Sequence, residues 1–246
     1  HYLGLLEKAA GAIDIPLIAS LNGARHGGWT EMARRMQDAG AAAIELNIYF
    51  VPGELDITAQ QVEDRHLEIL ESVRDAVDIP VAVKLASSFS SVGNLCRRLD
   101  EAGADGLVLF NRFLQPDIDL ERMEVVPGVE LSNPIEGRLP RTWIAALRGR
   151  LKASLAGTGG VETPEDVVKY VLAGADVVMT TSALVRHGRG HARILTTGLQ
   201  EWLAKQGLTL DMARGMLAVP KDASTSAYER AGYVAALNLA KQRYGG

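Results

Sequence analysis

Short apolar runs, each introduced by one of two recurring signals, leave this chain few folds to adopt. Ile13-Asp14-Ile15-Pro16 leads into Leu17-Ile18-Ala19-Ser20, and about 64 residues later Val77-Asp78-Ile79-Pro80 leads into Val81-Ala82-Val83-Lys84-Leu85. Ala39-Gly40-Ala41, Ala102-Gly103-Ala104 and Ala173-Gly174-Ala175 open further runs: Ala43-Ile44-Glu45-Leu46, Gly106-Leu107-Val108-Leu109-Phe110 and Val177-Val178-Met179. A glycine at those positions suits the left-handed residue that closes a helix, so each triplet reads as a helix end followed by a strand. Helical patterns fill the intervals. Val167, Val168, Val171 and Leu172 share one face, after Thr163-Pro164-Glu165-Asp166. There Thr163 can cap, Pro164 suits the first turn, and the acids favour the positive end of the helix.

The predicted order is strand 17–22, helix 29–39, strand 43–47, helix 61–76, strand 81–85, helix 92–101 and strand 106–110. After a gap come helix 140–147, strand 153–157, helix 164–173, strand 177–181 and helix 191–205. Short continuous apolar strands alternating with such helices indicate a parallel sheet buried on both faces. A closed barrel takes eight βα units and an open doubly wound sheet can use six. The repeat offset suggests quarter-barrel duplication, so the expected fold is α/β, a TIM (β/α)8 barrel. Residues 1–12, with no initiator Met, read as the tail of a helix. The chain is therefore expected to be a fragment that carries strands three to eight and lacks the first two. On this reading 1–246 is one partial barrel domain. Residues 111–139 exceed a usual connection and are expected to form an excursion over the barrel mouth. The tail, 206–246, is expected to be helical and to pack outside.

The formal charge of −4 supplies no basic footprint, which argues against nucleic acid or an anionic membrane as partner. No apolar run approaches the ~20 residues needed to span a bilayer, and no signal-peptide layout is visible. The single cysteine, Cys96, rules out an internal disulfide and falls at apolar spacing in a helix, where it reads as core. The expected compartment is the cytoplasm.

In parallel α/β folds ligands bind at the carboxyl ends of the strands. The polar residues there are Asn22, Asn47, Lys84, Asn111, the run Gly157-Thr158-Gly159-Gly160, and Thr180-Thr181-Ser182. A glycine-rich loop after one strand and a Thr/Ser-rich loop opening a short helix after the next resemble the common barrel phosphate site. Lys84 ends an apolar strand, where a charge is costly unless it meets a partner. Asn47 and Asn111 can donate and accept in one plane, which suits an amide-like ring. His187-Gly188-Arg189-Gly190-His191 has metal-like spacing, but its glycines favour a solvated loop, and no metal site is expected.

These landmarks, in this order, resemble the dihydroorotate dehydrogenase superfamily: Ile44-Glu45-Leu46-Asn47, Val81-Ala82-Val83-Lys84-Leu85, Leu109-Phe110-Asn111, Leu131-Ser132-Asn133-Pro134, Gly157-Thr158-Gly159-Gly160-Val161 and Thr181-Ser182-Ala183-Leu184. The resemblance implies an FMN-binding barrel that oxidises dihydroorotate, or a related cyclic amide, by passing hydride to the flavin in pyrimidine biosynthesis. It implies Lys84 against the flavin ring as the electrostatic candidate, Asn47 between flavin and substrate, and Asn111 on the substrate. Ser132 would lie near the flavin, with Gly159, Gly160, Thr181 and Ser182 around the phosphate. Soluble relatives of this kind are often dimers, so a homodimer is implied.

The sequence also departs from the family pattern. The loop after Glu-Leu-Asn carries a Cys or Ser base in the family, whereas here Asn47-Ile48-Tyr49-Phe50-Val51-Pro52 puts Phe50 at that position. Asn133 stands where the family has glycine after the serine, and Thr181 replaces a phosphate-loop glycine. Two further readings follow. One is a non-redox aldolase or isomerase with Lys84 as Schiff-base or electrophilic residue. The other is a flavin-binding protein without catalysis.

Overall fold

In a computed structural model the chain is described over residues 1–22, 28–50, 53–113 and 115–244. Helix α1 (Tyr2–Ala10) precedes β1 (Ile18–Asn22), α2 (Trp29–Asp38), β2 (Ala43–Asn47), α3 (Ala59–Arg74), β3 (Val81–Leu85), α4 (Val92–Glu101) and β4 (Gly106–Leu109). A hairpin of β5 (Asp117–Asp119) and β6 (Glu124–Val126) follows, then a 3-10 turn at Pro134–Gly137 that runs into α5 (Arg138–Leu147). Next come β7 (Ser154–Thr158), α6 (Pro164–Ala173), β8 (Val177–Met179), α7 (Ser182–His187), α8 (His191–Gln206), α9 (Leu210–Ala213) and α10 (Thr225–Tyr244).

Among the described residues, one sheet has the order β1-β2-β3-β4-β7-β8, every pair parallel. It curls: residues of both edge strands, Ile18 and Val177, line the same concave cleft as Ala82 and Val108 of the central strands. This is a partial barrel. Its convex face is the core, where Ala19, Leu21, Ile44, Leu46, Val81, Val83, Leu85, Leu107 and Leu109 pack under the helices.

The helix endings behave as the triplets predict. Gly40, Gly103 and Gly174 have φ of +92°, +92° and +117°, a region side-chain-bearing residues rarely enter. At the start of α6 the Asp166 carboxylate accepts from both the backbone N–H and the hydroxyl of Thr163. Cys96 is buried without solvent contact, as its spacing predicts.

Three expectations need correction. The sheet is not buried on both faces throughout: β1 alternates exposed and buried, and Ile18 and Val177 are about half exposed. Two edge strands share one cleft, so the side chains lining it lack the cross-barrel partners that a closed barrel supplies. The excursion at 111–139 holds the β5–β6 hairpin, yet its last two residues already belong to α5, which starts at Arg138 because the preceding 3-10 turn runs straight into it. The tail packs outside only in part. The backbone N–H of Val219 bonds to Ala145 and the Ala213 side chain is buried, whereas every described side chain of α10 is exposed.

Candidate functional site

The concave face is built in rows, because a parallel register sets equivalent residues side by side. Ser20, Glu45, Ala82, Gly106 and Ser154 form one row; two residues further along, Asn22, Asn47, Lys84 and Val108 form the next, at the carboxyl ends. Side chains alternate across a strand. Val81, Val83 and Leu85 therefore enter the convex core, while Ala82 and Lys84 turn into the cleft.

Lys84 finds the partner that its burial requires. Its Nζ lies 3.6 Å from Oε1 of Glu45, whose side chain is only 7% exposed against 17% for the lysine. The Ser20 hydroxyl donates to the same carboxylate oxygen at 2.8 Å. Lys84 is thus held inside the cleft, not emerging into solvent. On the rim, Asn111 Nδ2 donates to Asn47 Oδ1 at 2.7 Å, so the two asparagines form one hydrogen-bonded amide pair.

A cavity of about 140 Å³ joins Lys84 and Asn111 to Ser132, Gly160, Thr181 and Ser182. Its wall is a tight crossing of backbones. A Cβ on Gly160 would lie 2.5 Å from the Asn133 carbonyl oxygen and 2.7 Å from the Gly137 nitrogen, and its φ is +65°. A Cβ on Gly159 would meet nothing within 4 Å. The first glycine is required by packing; the second leaves its backbone open to the cavity. Ser132 bridges the two loops: its hydroxyl donates to Ser182 Oγ at 2.9 Å and accepts from the Gly160 N–H at 3.4 Å. A cleft of about 620 Å³ adjoins on the side of Arg112, Asn133 and Arg138.

Residues outside the predicted set hold these loops. The Tyr170 hydroxyl on α6 donates to the carbonyls of Thr158 and Gly159 at 3.0 and 2.8 Å, and burial pushes its ionisation well above the usual phenol range. Arg186 on α7 donates to the carbonyls of Leu131 and Ser132 and pairs with Glu162 at 2.5 Å. The His187 ring also contacts the Glu162 carboxylate, and with Arg186 it holds that carboxyl below the usual range. His191 Nε2 lies 2.7 Å from the Glu162 carbonyl. The segment 187–191 is an exposed turn between two helices, in keeping with the solvated loop read from its glycines, and it is fastened because both histidines have a partner in Glu162.

The structure brings Asn47, Lys84, Asn111, Ser132, Gly159, Gly160, Thr181 and Ser182 to one mouth. Thr180 lines the same cavity, and its hydroxyl donates to the Val161 carbonyl at 2.8 Å. Phe50 does not line this cavity; the Arg65 guanidinium sits 4.3 Å from its ring centre. Beside it, Tyr49 packs edge-to-face on Phe113. Val51 and Pro52, next in that loop, lie outside the described residues. Sequence reading missed Glu45, although a carboxylate inside an apolar strand carries the same signal that singled out Lys84. Tyr170 and Arg186 offered no such signal, since their partners are backbone carbonyls.

The family model described as dihydroorotate dehydrogenase matches residues 3–203. An Aeropyrum pernix protein provisionally named dihydroorotate dehydrogenase A (fumarate) is 31% identical over 210 residues, covering 82% of this chain and 67% of its own length. The dihydroorotate dehydrogenase B (NAD(+)) catalytic subunit of Listeria welshimeri is 31% identical over 186 residues, 72% of this chain and 59% of its own. Dihydroorotate dehydrogenase A (fumarate) of Lactobacillus delbrueckii is 27% identical over 184 residues, 70% of this chain and 57% of its own. The chain thus spans roughly three fifths to two thirds of the length of the curated relatives it matches.

Proposed function

Because the chain belongs to the dihydroorotate dehydrogenase family, we propose that it is the greater part of an FMN-dependent oxidoreductase of pyrimidine biosynthesis, acting on dihydroorotate or a related cyclic amide. One observation carries the reading: a cationic side chain, an amide pair and a glycine-lined crossing of two loops share one cavity mouth. The donor set fits FMN. Gly159 leaves its backbone open, Thr181 and Ser182 begin a helix, and Lys84 supplies positive charge at the cavity floor.

Bound FMN supplies the hydride acceptor. The chain's own residues do the rest. Gly159, Gly160, Thr181 and Ser182 would hold the phosphate, with the Ser132 hydroxyl between Ser182 and Gly160 beside it. Lys84 would offset negative charge on the ring. Asn47 and Asn111, hydrogen-bonded to each other, would orient an amide-bearing substrate by their donor and acceptor groups. Proton removal from the substrate is a separate matter, since phenylalanine at position 50 has no group to accept it. That residue supports a second reading, a flavin-binding protein that does not oxidise dihydroorotate. The aldolase or isomerase reading is not favoured: the family match lies elsewhere, and Lys84 is engaged by Glu45.

Two further strands, lying outside this sequence, would close the barrel. The half-exposed inner side chains of both edge strands and the partial coverage of the relatives support this. Among the described residues no helix is long and apolar enough to cross a membrane. We place the protein in the cytoplasm, as a homodimer acting on a small molecule.

The test is a visible absorbance spectrum of the purified protein with its cofactor identified by mass, followed by anaerobic addition of dihydroorotate. Bound FMN that bleaches supports the full reading. Bound FMN that stays oxidised with every dihydropyrimidine selects the non-catalytic one. No FMN, even in excess, refutes both.

A further inference from the structure

We infer that Glu45 is a positioning residue: it holds the Lys84 side chain fixed at the floor of the cavity, with Ser20 holding Glu45 in turn. The residues come from three adjacent strands. Ser20 on β1 is opposite Glu45 on β2, and Lys84 on β3 sits one row nearer the mouth, opposite Asn47. Glu45 is a charged residue only 5% exposed, with two polar partners: the ammonium at 3.6 Å and the Ser20 hydroxyl at 2.8 Å, both on Oε1. A carboxylate so placed is costly to ionise without a cation, and an ammonium in the same cleft is costly without an anion. Each therefore offsets the desolvation of the other and keeps it in place. The serine hydroxyl fixes which oxygen faces the lysine, so the ammonium is located by a rigid strand and not by its own flexible stem.

Removal of the carboxylate charge leaves Lys84 with no anion within 4 Å among the described residues. The position of its ammonium is then no longer set. A second consequence rests on the FMN reading: a lysine whose position is not set brings less positive charge to the flavin ring. The first consequence does not need a flavin.

The experiment is trace acetylation of the whole chain at pH 8 with acetic anhydride, Lys84 labelling being read by peptide mass spectrometry against exposed Lys8 and Lys205. In Glu45→Gln, Lys84 should label at least about threefold faster relative to those references, since an ammonium no longer held against a carboxylate is free to swing toward the reagent on its flexible stem. Ser20→Ala should move it the same way by a smaller factor, and Glu45→Asp should restore most of the wild-type rate. If Glu45→Gln does not fold, the Ser20→Ala and Glu45→Asp pair decides. An unchanged Lys84 rate in the folded variants overturns the inference. With FMN loaded, sulfite affinity, which reports positive charge near the ring, should fall at least threefold in Glu45→Gln. A rise would overturn it, since Glu45 would then merely offset the lysine's charge without setting its position. If wild-type protein binds no FMN, the flavin reading fails alone and the labelling result still judges the pair.

Discussion

Replacing Gly157 with alanine tests whether the loop at the cavity mouth is set by packing beneath it. A Cβ at that position would lie 2.3 Å from Cδ1 and 2.5 Å from Cε1 of Tyr170, and 2.9 Å from Cδ1 of Ile144. Neither side chain can yield: both are fully buried, and the Tyr170 hydroxyl is bound to the Thr158 and Gly159 carbonyls. Overpacking a core by one methyl costs about 1–3 kcal/mol. If the ring shifts, the hydroxyl loses its bonds, adding about 1 kcal/mol. The expected destabilisation is therefore about 2–4 kcal/mol, read as a lower urea midpoint with an unchanged slope. Tyr170→Phe should lose only the hydroxyl's share, about 1 kcal/mol. Tyr170→Ala should itself cost about 3–5 kcal/mol but make room for the new methyl. In that background Gly157→Ala should cost under about 1 kcal/mol, an interaction energy that only contacting residues produce. A Gly157→Ala variant as stable as wild type refutes the reasoning, and so does an equal cost in both backgrounds.

Cys96 should be inert in the native protein, because burial pushes its thiol up to about 12. A thiol reagent at pH 8 should label it only at the rate of unfolding, and prompt labelling without denaturant would contradict the packing. Glu162 carries the opposite expectation: the His187 ring and the Arg186 guanidinium lower its carboxyl, so its contribution to stability is present above the ordinary carboxylate value near 4.5 and lost as pH falls through the lowered one. Urea midpoints of wild type and Glu162→Gln should therefore differ at pH 6 and converge as pH falls through the lowered carboxyl value; a gap that persists in stronger acid would show that the clamp on residues 131–132 does not depend on that charge.

Local signals along the chain are enough for the alternation of strand and helix, the parallel sheet, and most of the mouth. Triplets centred on Gly40, Gly103 and Gly174 mark helix ends because a left-handed residue is a local, steric demand. Lys84 is conspicuous because a charge inside an apolar strand must be answered. Asn47, Asn111 and the two phosphate-type loops stand at strand ends, where the fold places ligands whatever its residues. What answers Lys84 was settled only by tertiary structure. Glu45 is 39 residues away in the chain, and parallel register, a cooperative property of three strands, is what sets its carboxylate beside the ammonium. The same holds for Tyr170 and Arg186. Their partners are backbone carbonyls, identical in every residue, so no pattern of side chains could announce them. The exposed inner side chains of the edge strands were likewise invisible, because an apolar run looks the same whether the face it lines is covered or open.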